Sequence, residues 1–215
     1  MSIRFVELAR QFRELDPNSK PEETALESYL RSPFSYGHEL TWEDMLARRR
    51  VVLLAEAGSG KSREFQERAK ILTEMGRFAF VVRLDQLADT SLESVLGPHE
   101  SARLLTWRRG TGEGYFFLDS VDEAKFSRMT DFDSALNRFR DAVKDDLARA
   151  HIYLSSRITE WQPKSDASKV LSQLPMFPVL KKHSENQALM SHSSPADLRY
   201  TAWQGCACRS GVCDS

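Results

Sequence analysis

The chain has 215 residues, 30 of them basic and 31 acidic, for a formal net charge of -1, which suits one α/β core with a small appendage and is too short for two large domains. The near-neutral balance gives no electrostatic case for nucleic acid, whose binders carry a basic excess on one face. No run approaches the roughly 18 apolar residues of a membrane helix, and the opening "MSIRFVELARQFREL" mixes charge with apolar residues unlike a signal peptide, so a cytoplasmic chain with no membrane partner is expected.

From Ser2 to Leu15 the apolar residues Ile3, Phe5, Val6, Leu8, Phe12 and Leu15 fall at helical spacing. "DPNSKPEE" is a linker by composition, Glu23 to Arg31 reads as a short helix, and "SPFSYG" ends it. "TWEDMLARR" then starts on Thr41 as N-cap, with Asp44 three residues on in the manner of a capping box. Residues 1–45 therefore form an expected N-terminal helical segment, which covers a flank of the adjoining domain or engages a protein partner.

Residues 46–180 alternate strand and helix signals. Val51 to Ala55 is a continuous apolar run, as in a strand buried on both faces. Ser62 to Met75 is helical, and Phe78 to Leu84 is a second strand. Ser91 to Trp107 is helical with a break at "GPH", and Tyr115 to Asp119 is a third strand. Asp133 to Ala150 reads as one long amphipathic helix, with Leu136, Phe139, Val143 and Leu147 on one face. His151 to Ser155 is a fourth strand, placed between the first and third. Leu174 to Leu180 could hold a fifth, confined to a sheet edge by Pro175 and Pro178. Such alternation predicts a three-layer α/β sandwich on a parallel sheet.

From Lys181 onward no period is visible, and the tail holds all three cysteines, Cys206, Cys208 and Cys213. C-x-C-x4-C fits no zinc spacing. Residues 181–215 are expected to be a disordered or aberrant tail outside the core, as a frameshift or premature end would leave.

Three constellations carry chemistry. The first is "AEAGSGKS", Ala55 to Ser62, between a buried strand and a helix. A phosphate-binding loop asks for Gly-x-x-x-x-Gly-Lys-Ser/Thr, and Ala55 stands at the first glycine. Backbone N–H groups of Ala57, Gly58, Ser59 and Gly60 would wrap phosphates at the helix's positive end. Lys61 would reach the β- and γ-phosphates, and the Ser62 hydroxyl would ligate Mg²⁺. Ala adds one methyl to the glycine and is tolerable unless position 55 needs a positive φ. The second constellation is "YFFLDSVDEA": Asp119 ends a central strand, where it can hold Mg²⁺ opposite Ser62. Asp122 and Glu123 follow at the same rim, able to orient or polarise an attacking water. The third is "YLSSR", whose Ser155, Ser156 and Arg157 end a strand within reach of a γ-phosphate, with Ser156 and Arg157 taken as the site residues.

Together "AEAGSGKS", "FFLDSVDEA" and "YLSSR" resemble the NACHT branch of the STAND NTPases, relatives of the AAA+ ATPases. The small Ser120 directly after Asp119, followed by Asp122 and Glu123, looks like that branch's Walker B signature, and "SSR" is similar to its sensor 1. The wording around the motifs, "DSVDEA" and "SSRITEW", is closer to bacterial members. The resemblance covers about Leu46 to Leu180. It implies a sheet order of 5-1-4-3-2, ATP or dATP with Mg²⁺, slow hydrolysis as a switch between monomer and homo-oligomer, and signalling in antiviral defence. The chain departs from the family in showing neither a recognisable effector domain nor the helical and winged-helix subdomains that close over the nucleotide.

Two functional readings stay open: a slowly hydrolysing ATPase switch, and a non-catalytic nucleotide-binding or interaction module acting on a partner or a full-length relative. A small-molecule kinase would need an Arg-bearing lid, against which Asp119 to Ala150 offers only scattered Arg128, Arg138 and Arg140. A GTPase would need Asn-Lys-x-Asp, which is nowhere in the chain.

Overall fold

The computed structural model of the chain describes residues 12–15, 40–119, 131–175 and 199–203. The strands are β1 (Phe12–Leu15), β2 (Arg50–Ala55), β3 (Phe78–Arg83), β4 (Gly114–Asp119), β5 (Ala150–Arg157) and β6 (Arg199–Trp203). The helices are α1 (Trp42–Leu46), α2 (Lys61–Glu74), α3 (Leu84–Leu87), α4 (Leu92–Arg109), α5 (Asp131–Val143) and α6 (Pro163–Gln173). The six strands make one sheet in the order β1-β6-β2-β5-β4-β3. Its centre, β2, β5, β4 and β3, is all parallel, β6 adds parallel to β2, and β1 closes that edge antiparallel to β6.

The central strands are apolar runs because both faces are covered. Alternation divides β2 between two cores. Val52 and Leu54 pack with Phe80, Val82, Phe116, Leu118, Ile152 and Leu154 against α3, α4, α5 and α6. Val51, Leu53 and Ala55 pack with Phe117 and Tyr153 against Phe65, Ala69 and Leu72 of α2. The result is an α/β fold with helices on each face of a parallel sheet. Thr41 caps α1 with the reciprocal Thr41–Asp44 pairing expected, and α4 kinks at Gly97, whose φ is 76°.

Four sequence expectations need correction. Phe12 to Leu15 is strand, not the end of a helix: β1 aligns with β6, and buried Phe12 exchanges backbone hydrogen bonds of 2.9 and 2.7 Å with Leu40. Its apolar spacing suits a helix, but pairing with β6 and Leu40 overrides local spacing here. The remainder of the expected helix, and the one at Glu23 to Arg31, lie outside the described residues. The helix after Asp131 stops at Val143 and tightens into a 3-10 segment over Lys144–Arg149. Leu174, expected in a fifth strand, instead caps α6, donating its N–H to the Val170 carbonyl at 2.8 Å. The place beside β2 is taken by β6, from the stretch expected to stay outside the core.

Gly114, the first residue of β4, is required by packing. A Cβ there would lie 2.6 Å from the Trp107 indole. That ring cannot step aside, because its Nε1 donates to the Gly112 carbonyl at 3.0 Å and the Arg149 guanidinium sits 4.2 Å above it. Gly114→Ala is expected to destabilise the fold by about 1–3 kcal/mol, measured by urea unfolding.

Candidate functional site

At the C-terminal end of β2 the chain turns through Glu56–Gly60 into α2. Ala55 is the last residue of the strand, fully buried and aligned with Arg157. Its methyl is part of the core that includes Phe65, so the first loop position needs no glycine here. The positions that do need one are Gly58, φ 72°, and Gly60, φ 90°, which serves as the left-handed N-cap of α2. Ser59 N–H closes a turn on the Glu56 carbonyl at 3.3 Å. Ala57, Gly58 and Ser62 are exposed, and Ser59, Gly60 and Lys61 are half-buried. The Lys61 ammonium donates to the carbonyls of Ala55, 3.1 Å, and Glu56, 3.0 Å. It therefore sits back over the loop at the positive end of a 14-residue helix.

The first turn of α2 is anchored from the N-terminal side. Glu64, 4% exposed, accepts from the Trp42 indole N–H at 2.7 Å, and Arg68 stacks 4.9 Å from the Trp42 ring. Trp42 in turn meets Phe12, Phe65 and Phe117 edge-on. Nothing in local sequence signals this contact, which joins residues 22 positions apart.

Asp119 ends β4, 6% exposed, and its carboxylate accepts from the hydroxyl of Ser155. The pleat explains why this serine and not its neighbour. Leu118 aligns with Leu154, so Asp119 and Ser155 follow as partners on the face covered by α2. Ser156 belongs to the opposite face, fully buried, with its hydroxyl on the Arg157 carbonyl at 3.3 Å. Arg157 returns to the α2 face, half-buried, level with Ala55. The structure thus places Gly58–Ser62, Asp119, Ser155 and Arg157 at one rim and Ser156 on the opposite face; Asp122 and Glu123 lie outside the described residues. Period-two alternation counted back from Arg157 would have singled out Ser155.

This set suits a triphosphate with a hard cation: left-handed glycines at a helix start, an ammonium over the loop, and a buried carboxylate held by a hydroxyl. Among the described residues, no group of three or more His, Cys, Asp or Glu gathers as a self-contained metal site. A cavity of about 600 Å³ lies at the other end of the sheet, its lining including Arg49, Arg77, Glu113, Tyr115 and His151. His151 Nδ1 donates to the Arg48 carbonyl at 2.9 Å, and burial pushes the imidazole pKa down. None of the residues expected to bind phosphate lines that cavity.

No family model matches the chain, and no curated protein matches it. No helix among the described residues is long and apolar enough to cross a membrane.

Proposed function

We propose that the chain is an ATP-binding, Mg²⁺-dependent switch domain of the NACHT kind. The observation that carries this reading is the shared rim: Lys61 over a loop with two left-handed glycines, and Asp119 held by Ser155 on the same face of the sheet. The strand order supports it as well. Taking β2 as the first core strand, the centre runs first, fourth, third, second, with β6 outside the first, the arrangement that the family resemblance calls for.

In this reading the N–H groups from Ala57 to Gly60 hold the phosphates, with Lys61 at the β- and γ-phosphates. Ser62 and Asp119 would hold Mg²⁺, which supplies charge neutralisation at the phosphate oxygens when bound. Ser155 fixes the rotamer of the Asp119 carboxylate. Arg157 offers a guanidinium on the α2 face, and Glu123, with Asp122 beside it, remains the candidate to polarise the lytic water. A signalling or defence role, through homo-oligomers or a protein partner, rests on the resemblance alone.

Equilibrium binding of MgATP and MgGTP to the purified chain tests the reading. MgATP is expected to bind at least about tenfold tighter than MgGTP, some 1.4 kcal/mol. Absence of binding to the folded chain would remove the proposal. Binding without turnover in the wild type would favour the non-catalytic module, whereas turnover lost in Glu123→Gln with binding retained would favour the ATPase.

A further inference from the structure

The α2 face of the rim holds a second arginine that the motifs do not mark. Arg83 ends β3 and is the aligned partner of Asp119 across the β3–β4 pair. Aligned residues of parallel strands project to the same face, about 4.8 Å apart in backbone. The face is fixed independently by the residues below: Val81 and Ala79, two and four positions back along β3, pack in the cluster that contains Phe65, Ala69 and Leu72 of α2. Arg83 continues that row past the core, with its side chain 49% exposed. A level row therefore runs Ser155, Asp119, Arg83, with Arg157 one pleat higher on the loop side.

The guanidinium is also already posed. Its Nε and Nη2 donate to the two carboxylate oxygens of Asp85, at 3.0 and 2.7 Å. A fork that grips a carboxylate bidentately presents the same geometry to two oxygens of a phosphate. Asp85 lies two residues on, in the first turn of the four-residue α3, so this pair is closed within the local chain. An ion pair this open to water is held weakly, and a terminal phosphate carries more charge than one carboxylate.

We propose that Arg83 reads the terminal phosphate of the bound nucleotide from the far side of Asp119, and that Asp85 is the parking partner it leaves. The proposal rests on the nucleotide-binding reading above and adds to it the element that distinguishes triphosphate from diphosphate. A cation that touches only the last phosphate strengthens MgATP and leaves MgADP alone. A carboxylate that competes for it weakens MgATP alone.

The test is the ratio of MgADP to MgATP dissociation constants in the wild type, Arg83→Gln and Asp85→Asn, with thermal unfolding confirming that each is folded. Arg83→Gln is expected to lower the ratio about tenfold by weakening MgATP with MgADP unchanged. Asp85→Asn is expected to raise it about threefold. A ratio unmoved by Arg83→Gln, with nucleotide still bound, overturns the role of Arg83 and leaves the binding site standing. A fall in both affinities together also overturns it, since it marks a purely structural ion pair. If the wild type binds neither nucleotide, the binding reading fails and this inference fails with it.

Discussion

Lys61→Ala is expected to weaken MgATP binding about 100-fold, some 2.7 kcal/mol, while the chain stays folded. The ammonium is placed for this by the loop itself: it bridges the carbonyls of Ala55 and Glu56 at 3.1 and 3.0 Å, which brings it over the start of α2. A cation fixed there meets incoming phosphate without further ordering cost, and its charge-assisted bonds to phosphate are the strong kind. Stability should change by less than about 1 kcal/mol, because the contact with the Glu56 carbonyl is exposed and that with Ala55 only partly buried, so water can take the place of the truncated side chain. Isothermal titration of wild type and variant, each first checked by circular dichroism, provides the comparison. Equal affinity in both proteins would place any nucleotide elsewhere, with the cavity lined by Arg49 and Arg77 as the next site to probe.

The parts of this molecule that were legible in sequence are those where local pattern and tertiary role coincide. The strands β2, β4 and β5 show as apolar runs because both faces are buried, and the loop shows because glycine, lysine and serine each answer a separate physical need. Thr41 and Asp44 announce their capping box because it is closed within three residues. The features that escaped depend on register or on distant partners. Whether Ser155 or Ser156 faces Asp119 is decided by how β5 aligns with β4. Phe12 is spaced like a helix residue, yet its place is set by Leu40 and β6. Arg199–Trp203 sits in a polar, cysteine-bearing tail and is strand because β2 offers it an edge. The indole of Trp42 on Glu64 is likewise a contact of the fold, not of the segment.

Arg50 shows the same limit most sharply, and its replacement carries the largest expected loss of stability. In sequence it is the last of three arginines before an apolar strand, a place where solvent exposure is the ordinary reading. In the fold it is 1% exposed. All five of its N–H donors are used: Nε reaches the Leu174 carbonyl at 3.1 Å, Nη1 those of Arg49 and Ala150 at 2.8 and 2.6 Å, and Nη2 those of Leu147 and Pro175 at 3.4 and 3.2 Å. One side chain thereby ties the start of β2 to the start of β5 and to the end of α6. Burial, with Arg49 adding to it, pulls the guanidinium pKa well below its ordinary value, down to about 9. Removing the group therefore returns some desolvation free energy. The carbonyls of Arg49 and Leu147 keep a backbone N–H, from Ile152 and Ala150, but those of Leu174, Ala150 and Pro175 lose the guanidinium, at about 1 kcal/mol or more for each left unpaired. The second effect is larger. Arg50→Ala is expected to lower the unfolding free energy by about 3–5 kcal/mol. Arg50→Met should recover little of it, since it refills volume and supplies no donor. The lowered pKa also fixes the pH behaviour. A base with a depressed folded-state pKa gains folding stability only as pH rises from about 9 toward the ordinary guanidinium value. Below that window the guanidinium is charged in both folded and unfolded chains. The loss should thus be the same at about pH 6 and pH 8, as read by urea denaturation of wild type and variant. A loss under about 1 kcal/mol would mean that the carbonyls of Leu174, Ala150 and Pro175 find other partners, and that Arg50 is not the tie between these elements.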